Sequence, residues 1–377
     1  MVENGLLLEV HDLHKHFPIV RGFLRRIVGN VKALDGVSFS VRRGETLALV
    51  GESGCGKTTT GRCVMRAIEP TSGKILFHQD PDGPPIDLNA LTRPELRYVQ
   101  RFMGMIFQDP YSSLNPRMTV LEIVGEPFIT RKLVRDSREL ERRVAQLLSN
   151  VHLDPSYMRR YPHAFSGGQR QRIAIARALA LNPNLVVADE PLSALDVSVQ
   201  AQILRLLKEL QGEFNLTYIF ITHNLAVVEY SSDRVAVMYV GKIVELGDTE
   251  AIFSRPKHPY TEALLSAVPV IETDRSGRRR ERIVLQGDVA DPANVPDGCA
   301  FHPRCPHVRE ICRTSEPQLV NLAEPDESPH SASCHFAGEL SLRGVGSPRS
   351  AAAGPDGQAR SNPPLVPARP GQEVSMS

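Results

Sequence analysis

No stretch of about 18 uncharged apolar residues occurs anywhere in the 377-residue chain, which argues against a hydrophobic membrane-spanning helix. The opening MVENGLLLEVHDL has no basic segment followed by a long apolar run, so no secretory signal is expected. Neither charge sign is in surplus: 44 Lys and Arg face 43 Asp and Glu. That leaves no electrostatic case for nucleic acid or an acidic membrane as partner. Internal repeats are absent, and so is any C-x-x-C pair among the six cysteines. Together these absences predict a cytosolic chain, long enough for two domains. In that compartment clustered cysteines read first as ligands of a metal or cluster, not as disulfides.

What is present is an alternation of strands and helices. Leu6–Val10, Val37–Val41 and Thr46–Val50 read as strands, the last two joined by a tight turn at Arg43-Gly44. Lys57 begins a helix, and the residues from Leu114 to about Phe165 are mostly helical in pattern, as in ELERRVAQLLSNV. Leu185–Ala188 is a continuous apolar run, expected of a parallel strand buried on both faces. The alternation predicts an α/β core with a parallel sheet. After Gly338 the chain turns rich in Ser, Ala, Gly, Pro and Arg, and a disordered tail over 337–377 is expected.

Gly51-Glu52-Ser53-Gly54-Cys55-Gly56-Lys57-Thr58 fits G-x-x-x-x-G-K-[ST], with an apolar strand before it and a helix after. Gly54 and Gly56 would let backbone N–H groups crowd a phosphate, and the helix start favours the anion. Lys57 would reach the β- and γ-phosphates, and Thr58 would offer a hydroxyl to Mg²⁺. Ser53, Cys55 and Thr59 fall in the same stretch, although Cys55 stands where no chemistry is fixed. A glycine-rich turn without a ligand is the plainer reading, and the flanks argue against it. Leu185-Val186-Val187-Ala188 ends in two carboxylates. Asp189 would hold Mg²⁺ through water, and Glu190 would orient and polarise an attacking water.

Phe165-Ser166-Gly167-Gly168-Gln169-Arg170-Gln171-Arg172 resembles the signature sequence of ABC ATPases. Other elements follow in that family's order. Gln108 in FQDP resembles the Q-loop glutamine, Ser193-Ala194-Leu195-Asp196 the D-loop, and His223 in ITHN the switch histidine. Phe17, in KHF, takes the place of the aromatic that stacks on adenine. The resemblance covers about residues 6–335. It implies a P-loop NTPase fold with a RecA-like core, an antiparallel β subdomain, a helical subdomain near 114–165 and a small Cys-rich C-terminal lobe. It also implies that Ser166, Gly167, Gly168 and Gln169 grip ATP held by a partner chain, while Asp196 couples the two sites. Gln108 would sense Mg²⁺ and the lytic water, and His223 would contact the γ-phosphate.

Within that family the chain is most similar to the ATP-binding subunits of dipeptide and oligopeptide importers. The similarity rests on GESGCGKTT, on QDPYSSLNPRMTV and on the stretch Lys257 to Pro269. It divides the chain into an ATPase domain at 1–256 and an oligopeptide-type extension at 257–336. It implies two separate permease subunits, an external binding protein, and a place at the cytoplasmic face of the membrane. The insertion PIVRGFLRRIVGNVK looks like the second of two paired ATPase types, so a heterodimer is expected ahead of a homodimer. Other solutes, nickel or glutathione among them, remain open. So do a non-transport ABC ATPase, which would usually carry coiled-coil insertions or two fused nucleotide domains, and a regulatory module with a degenerate site. The intact Lys57, Asp189, Glu190 and His223 argue against the last.

Cys299, Cys305, Cys312 and Cys334 are separated by five, six and twenty-one residues, unlike common zinc ribbons. Four thiolates can hold a [4Fe–4S] cluster, and the extension of peptide-importer ATPases resembles this segment and can carry one. His302, His307 and His335 keep Zn²⁺ open as an alternative, and unligated thiols are a third. The expected role is a staple for a lobe with little core of its own.

Overall fold

The computed structural model describes residues 5–22, 26–268 and 283–345. Twelve strands form two sheets. In chain order they are β1 (Leu6–Arg21), β2 (Arg26–Arg42), β3 (Thr46–Val50), β4 (Ser72–Phe77), β5 (Ile86–Asp87), β6 (Met103–Ile106), β7 (Leu185–Asp189), β8 (Thr217–Ile221), β9 (Arg234–Tyr239), β10 (Lys242–Asp248), β11 (Val320–Asn321) and β12 (Ser331–Ala332). The smaller sheet is antiparallel, in the order β2-β1-β4-β5. The larger runs β11-β12-β10-β9-β3-β8-β7-β6.

The middle of the larger sheet is parallel, with β6, β7, β8, β3 and β9 side by side. Every residue of β3 (TLALV), β7 (LVVAD) and β8 (TYIFI) is buried. Helices cover both faces of such strands, so their sequences carry no polar alternation. Because the strands run the same way, the loops after β3, β8, β7 and β6 leave one edge of the sheet as neighbours. The edge is where open parallel sheets bind ligands, and it receives four of the motifs read above.

Two helices dominate the 114–165 stretch. Val120–Thr130 starts with a reciprocal capping box between Thr119 and Glu122, and Ser137–Asn150 is capped by Asp136, whose side chain accepts from the Glu139 amide. Each cap satisfies donors that the first helical turn leaves unpaired. Val124, Val144, Leu148 and Val151 are fully buried and share a core with Ile173 and Ala176 of the signature helix.

Three expectations are corrected. The strand expected at Leu6–Val10 continues to Arg21 and pairs with β2 along its length. The insertion after Phe17 therefore forms the arm of a hairpin, with residues 23–25 outside the described region. Its outer residues Val20, Ile27 and Val28 are exposed. Backbone pairing, not burial, holds it, and so no alternation marks it in the sequence. Second, the segment expected as a separate small Cys-rich lobe shares a core with strands of the larger sheet. Phe301 and Val345 are buried in one cluster with Val50, Val235, Tyr239 and Tyr260, and Cys299 and Cys305 pack against it. Third, residues 337–345, expected within the tail, pack on the protein: Val345 N–H donates to Phe253 O at 2.7 Å and Arg343 N–H to Glu262 Oε1 at 2.7 Å. Ala337 and Val345 are buried, and Glu339 pairs with Arg309, contacts that a composition reading as tail does not reveal. The remainder, 346–377, lies outside the described residues.

The segment is also tied to the sheet. β12 pairs with β10, placing Ala332 opposite Glu245. Glu245 is fully buried. Its carboxylate accepts from the amides of Lys257 (2.6 Å) and His258 (2.9 Å) and pairs with His330 Nε2 at 2.7 Å. A buried carboxylate is tolerated only when its oxygens are satisfied in this way.

Candidate functional site

The loop after β3 turns on glycines. Gly56 has φ +107°, and a Cβ there would lie 2.5 Å from the Ala33 carbonyl oxygen; no L side chain fits such a contact without moving backbone. Gly54 has φ +82° with open space around it. Ser53 and Gly54 are exposed, whereas Cys55 is buried with its thiol turned inward and its pKa raised by burial. Its sulfur is thereby turned away from the surface of the loop. Lys57 Nζ donates to the carbonyls of Gly51 (2.7 Å) and Glu52 (2.9 Å) at the root of the loop. Thr59 is half-buried in the helix Lys57–Val64.

Thr58 Oγ1 donates to Asp189 Oδ1 at 2.8 Å, joining the helix start after β3 to the end of β7. Asp189 is almost wholly buried, and burial pushes its carboxyl above the usual range while the Thr58 hydrogen bond partly opposes this. A buried carboxylate beside a hydroxyl, with a phosphate loop alongside, is a donor set suited to a hard divalent cation. Glu190, next in the chain, has φ +44°. This turn swings its side chain off the strand line into a three-residue network. Gln108 Nε2 donates to Glu190 Oε2 at 2.8 Å, and His223 Nδ1 lies 3.1 Å from Glu190 Oε1. Glu190 is little exposed, while His223 stands at the surface. Six of the sequence-derived residues, from one helix start, one strand end and three loops, are thereby gathered at one edge.

The remaining ones are not joined to that network. Ser166 caps the helix Gly167–Leu179, with Gln169 N–H 3.4 Å from its Oγ and its own N–H donating to Gln169 Oε1 at 3.1 Å. The cap leaves the N–H groups of Gly167 and Gly168 at an accessible helix start. A Cβ on Gly168 would meet Val199 Cγ1 at 2.6 Å, so that glycine also lets two helices close. Asp196 is exposed at the start of Val197–Phe214 without a side-chain cap bond, and Val197 beside it is 82% exposed. Phe17 lies half-open on β1 with Lys15 Nζ 4.9 Å from its ring centre.

All four C-terminal cysteines line one small pocket, together with His258, His302, His307 and His335. The thiols of Cys299 and Cys305 are pushed up to about 11, first by burial and further by the charges of the other cysteines. Yet no three of their sulfur and histidine ligand atoms approach within 4.8 Å; the only described trio that does is His14, His16 and Asp35. That trio is an ion-pair hub. Asp35 is also contacted by Lys32 (3.4 Å) and Lys242 (3.6 Å), whose ammonium groups oppose a second cation.

Residues that motif reading did not find stand between the two sites. Glu52 of the phosphate loop is paired with Arg304 of the cysteine segment, and its amide donates to Tyr260 OH. Partners 252 residues apart leave no local pattern.

Residues 34–193 match the ABC transporter family profile, and residues 244–312 match the oligopeptide/dipeptide transporter C-terminal region. The oligopeptide transport ATP-binding protein AppF of Bacillus subtilis (strain 168) is 52% identical over 331 residues, 88% of this chain and 97% of that protein. A probable peptide ABC transporter ATP-binding protein, y4tS of Sinorhizobium fredii, is 50% identical over 332 residues, 88% of this chain and 90% of its own. Among solved structures, the dimeric post-hydrolysis state of the ATP-binding cassette MJ0796 bound to ADP and Pi superposes with a TM-score of 0.56. It is 28% identical, covering 64% of this chain and 99% of that one. The cbiO1 protein of Clostridium perfringens, part of the cbiONQ ABC transporter complex, superposes at 0.55 with 29% identity, covering 66% of this chain and 91% of its own.

Proposed function

The chain belongs to the ATP-binding subunits of the oligopeptide and dipeptide ABC transporters, and on that premise we propose that it binds and hydrolyses ATP to power peptide uptake through separate permease subunits. The observation that carries the reading is the network at the strand ends: Thr58 on Asp189, and Gln108 and His223 on Glu190. ATP would lie along the phosphate loop, its β- and γ-phosphates met by Lys57 and by amides at the helix start. Thr58 and Asp189 would hold Mg²⁺, which supplies charge neutralisation at the phosphates. Glu190 would take a hydrogen bond from a water and orient it on the γ-phosphate. Gln108 and His223 hold that carboxylate from two sides.

Ser166, Gly167, Gly168 and Gln169 would meet the γ-phosphate of ATP bound to a second, related ATP-binding subunit, and Asp196 would report between the two sites. ATP then favours the closed pair because it contacts both chains only there. A heterodimer is our reading of the partner, with two permease subunits receiving the 114–165 helices and an external binding protein delivering peptide. No described helix is long and apolar enough to cross a membrane, which fits attachment to the cytoplasmic face through those permeases. Uptake of another small solute is the alternative. Copurification with a pair of permeases and peptide-stimulated ATPase in proteoliposomes would support the reading; ATPase stimulated by nickel or glutathione and not by peptides would replace the substrate.

The cysteine pocket fits a [4Fe–4S] cluster better than zinc. Zinc draws four ligands to about 2.3 Å of one centre, so its sulfurs lie roughly 3.8 Å apart. A four-iron cluster binds each thiolate to a different iron and spreads them. Four cysteines around one pocket, with no trio inside 4.8 Å, support the wider arrangement. Such a group would relieve the cost of packing these thiols together and staple their loops. Protein purified without oxygen should be brown and contain iron; stoichiometric zinc without iron would rule the cluster out.

A further inference from the structure

Nothing in phosphate-loop chemistry calls for a carboxylate at Glu52, one of the four unrestricted positions of G-x-x-x-x-G-K-[ST]. An unpaired carboxylate there would repel a bound polyphosphate. Here it is paired. Arg304 Nη1 donates to Glu52 Oε2 at 2.6 Å and Nη2 to Oε1 at 3.0 Å, a bidentate fork from a guanidinium side chain only 7% exposed. Glu52 is held at two more points: its N–H donates to Tyr260 OH at 2.8 Å, and its carbonyl accepts from Lys57 Nζ at 2.9 Å. Carboxylate, amide and carbonyl of one loop residue are thus each engaged, and the third partner is the lysine that would carry the phosphate charge.

Both non-lysine contacts lead to the cysteine pocket. Arg304 ends a short 3₁₀ turn, His302–Arg304, set between Cys299 and Cys305. That turn is tied by His302 N–H to Cys299 O (2.8 Å) and Cys305 N–H to His302 O (3.3 Å). Phe301 in the same segment is buried against Tyr260, ring centres 5.4 Å apart, and against Tyr239 at 5.3 Å. We infer that Arg304 is a positioning residue for the phosphate loop, cancelling the Glu52 charge and fixing the loop so that the integrity of the cysteine turn sets the affinity for ATP. Coupling of this kind is a free energy shared between two sites. It deepens the proposed function, since it needs ATP at the phosphate loop.

The test is equilibrium titration of the full chain with a fluorescent ATP analogue, with thermal melting of each variant as the check on folding. Arg304→Ala is expected to bind about tenfold more weakly, a value between those of exposed and fully buried pairs. Arg304→Lys, which cannot make the fork, should lose about threefold. Glu52→Gln, which breaks the same fork, should lose no more than about threefold by itself, and adding it to Arg304→Ala should recover most of the tenfold loss, because the stranded carboxylate is gone. A merely structural role for Arg304 would not be rescued that way. Cys305→Ser should weaken binding too, yet add little on top of Arg304→Ala. If Arg304→Ala does not fold, Arg304→Lys with and without Glu52→Gln carries the same comparison. Affinity unchanged in both arginine variants, or losses that Glu52→Gln fails to recover, would overturn the inference. Wild type that does not bind the analogue would instead overturn the ATPase reading beneath it.

Discussion

The two halves of the nucleotide machinery in this chain are built differently. On the phosphate-loop side, the side chains bond one another: Thr58 with Asp189, Glu190 with Gln108 and His223, and Lys57 with loop carbonyls. On the signature side, the side chains of Ser166 and Gln169 are spent on each other's backbone amides, and Asp196 and Val197 are exposed. The first half is preorganised for a ligand within the chain. The second is a capped helix start that presents donors to something outside it. On the proposed function, the difference corresponds to one subunit contributing half of each of two reaction centres.

The largest effect expected from breaking this asymmetry lies in the preorganised half. Glu190→Gln keeps its shape and loses its charge, so ATP binding should persist while turnover falls at least ~100-fold, the scale for one transition-state group. Parallel measurement of ATP affinity and steady-state phosphate release checks it, and near-normal release would remove Glu190 from its role. Next comes Gly168→Ala. Its Cβ would press on the stiff Val199 side chain at 2.6 Å, so denaturant unfolding should show a loss of about 1–3 kcal/mol. Equal stability would mean that the glycine serves only the donors it exposes. The smallest effect is expected at Gly54→Ala, where φ is +82° but no atom is near. There only backbone strain acts, roughly 1–2 kcal/mol, and nucleotide affinity should change less than in Gly56→Ala, whose Cβ meets the Ala33 carbonyl.

How much of this was legible in the sequence follows the same division. Lys57, Thr58, Asp189 and Glu190 could be read because each is fixed by a short run of chain: a buried strand, then a turn with required residue types. The parallel core was legible for the same reason, since β3, β7 and β8 are apolar from end to end. The β1–β2 arm was not, because its outer half exposes Val20, Ile27 and Val28 and has no buried face to mark a period. The cysteines announced a site by their number. Whether their sulfurs stood at zinc spacing or wider could not be read from gaps of five, six and twenty-one residues, since turns around Pro303 and Pro306 set the geometry. Arg304 was invisible for a different reason: a charge pair with Glu52 is decided by which surfaces the completed fold brings together, and here Phe301 and Tyr260 dock the cysteine segment onto the phosphate loop.

The most direct test of the shared reaction centre is ATPase rate per chain across a dilution series, in wild type and in Ser166→Arg, with and without a companion ATP-binding subunit. Our account predicts that the wild-type rate climbs with concentration or on adding the companion, and that Ser166→Arg abolishes the climb while still binding the ATP analogue. A rate that stays high at dilution and is indifferent both to the companion and to Ser166 would contradict it.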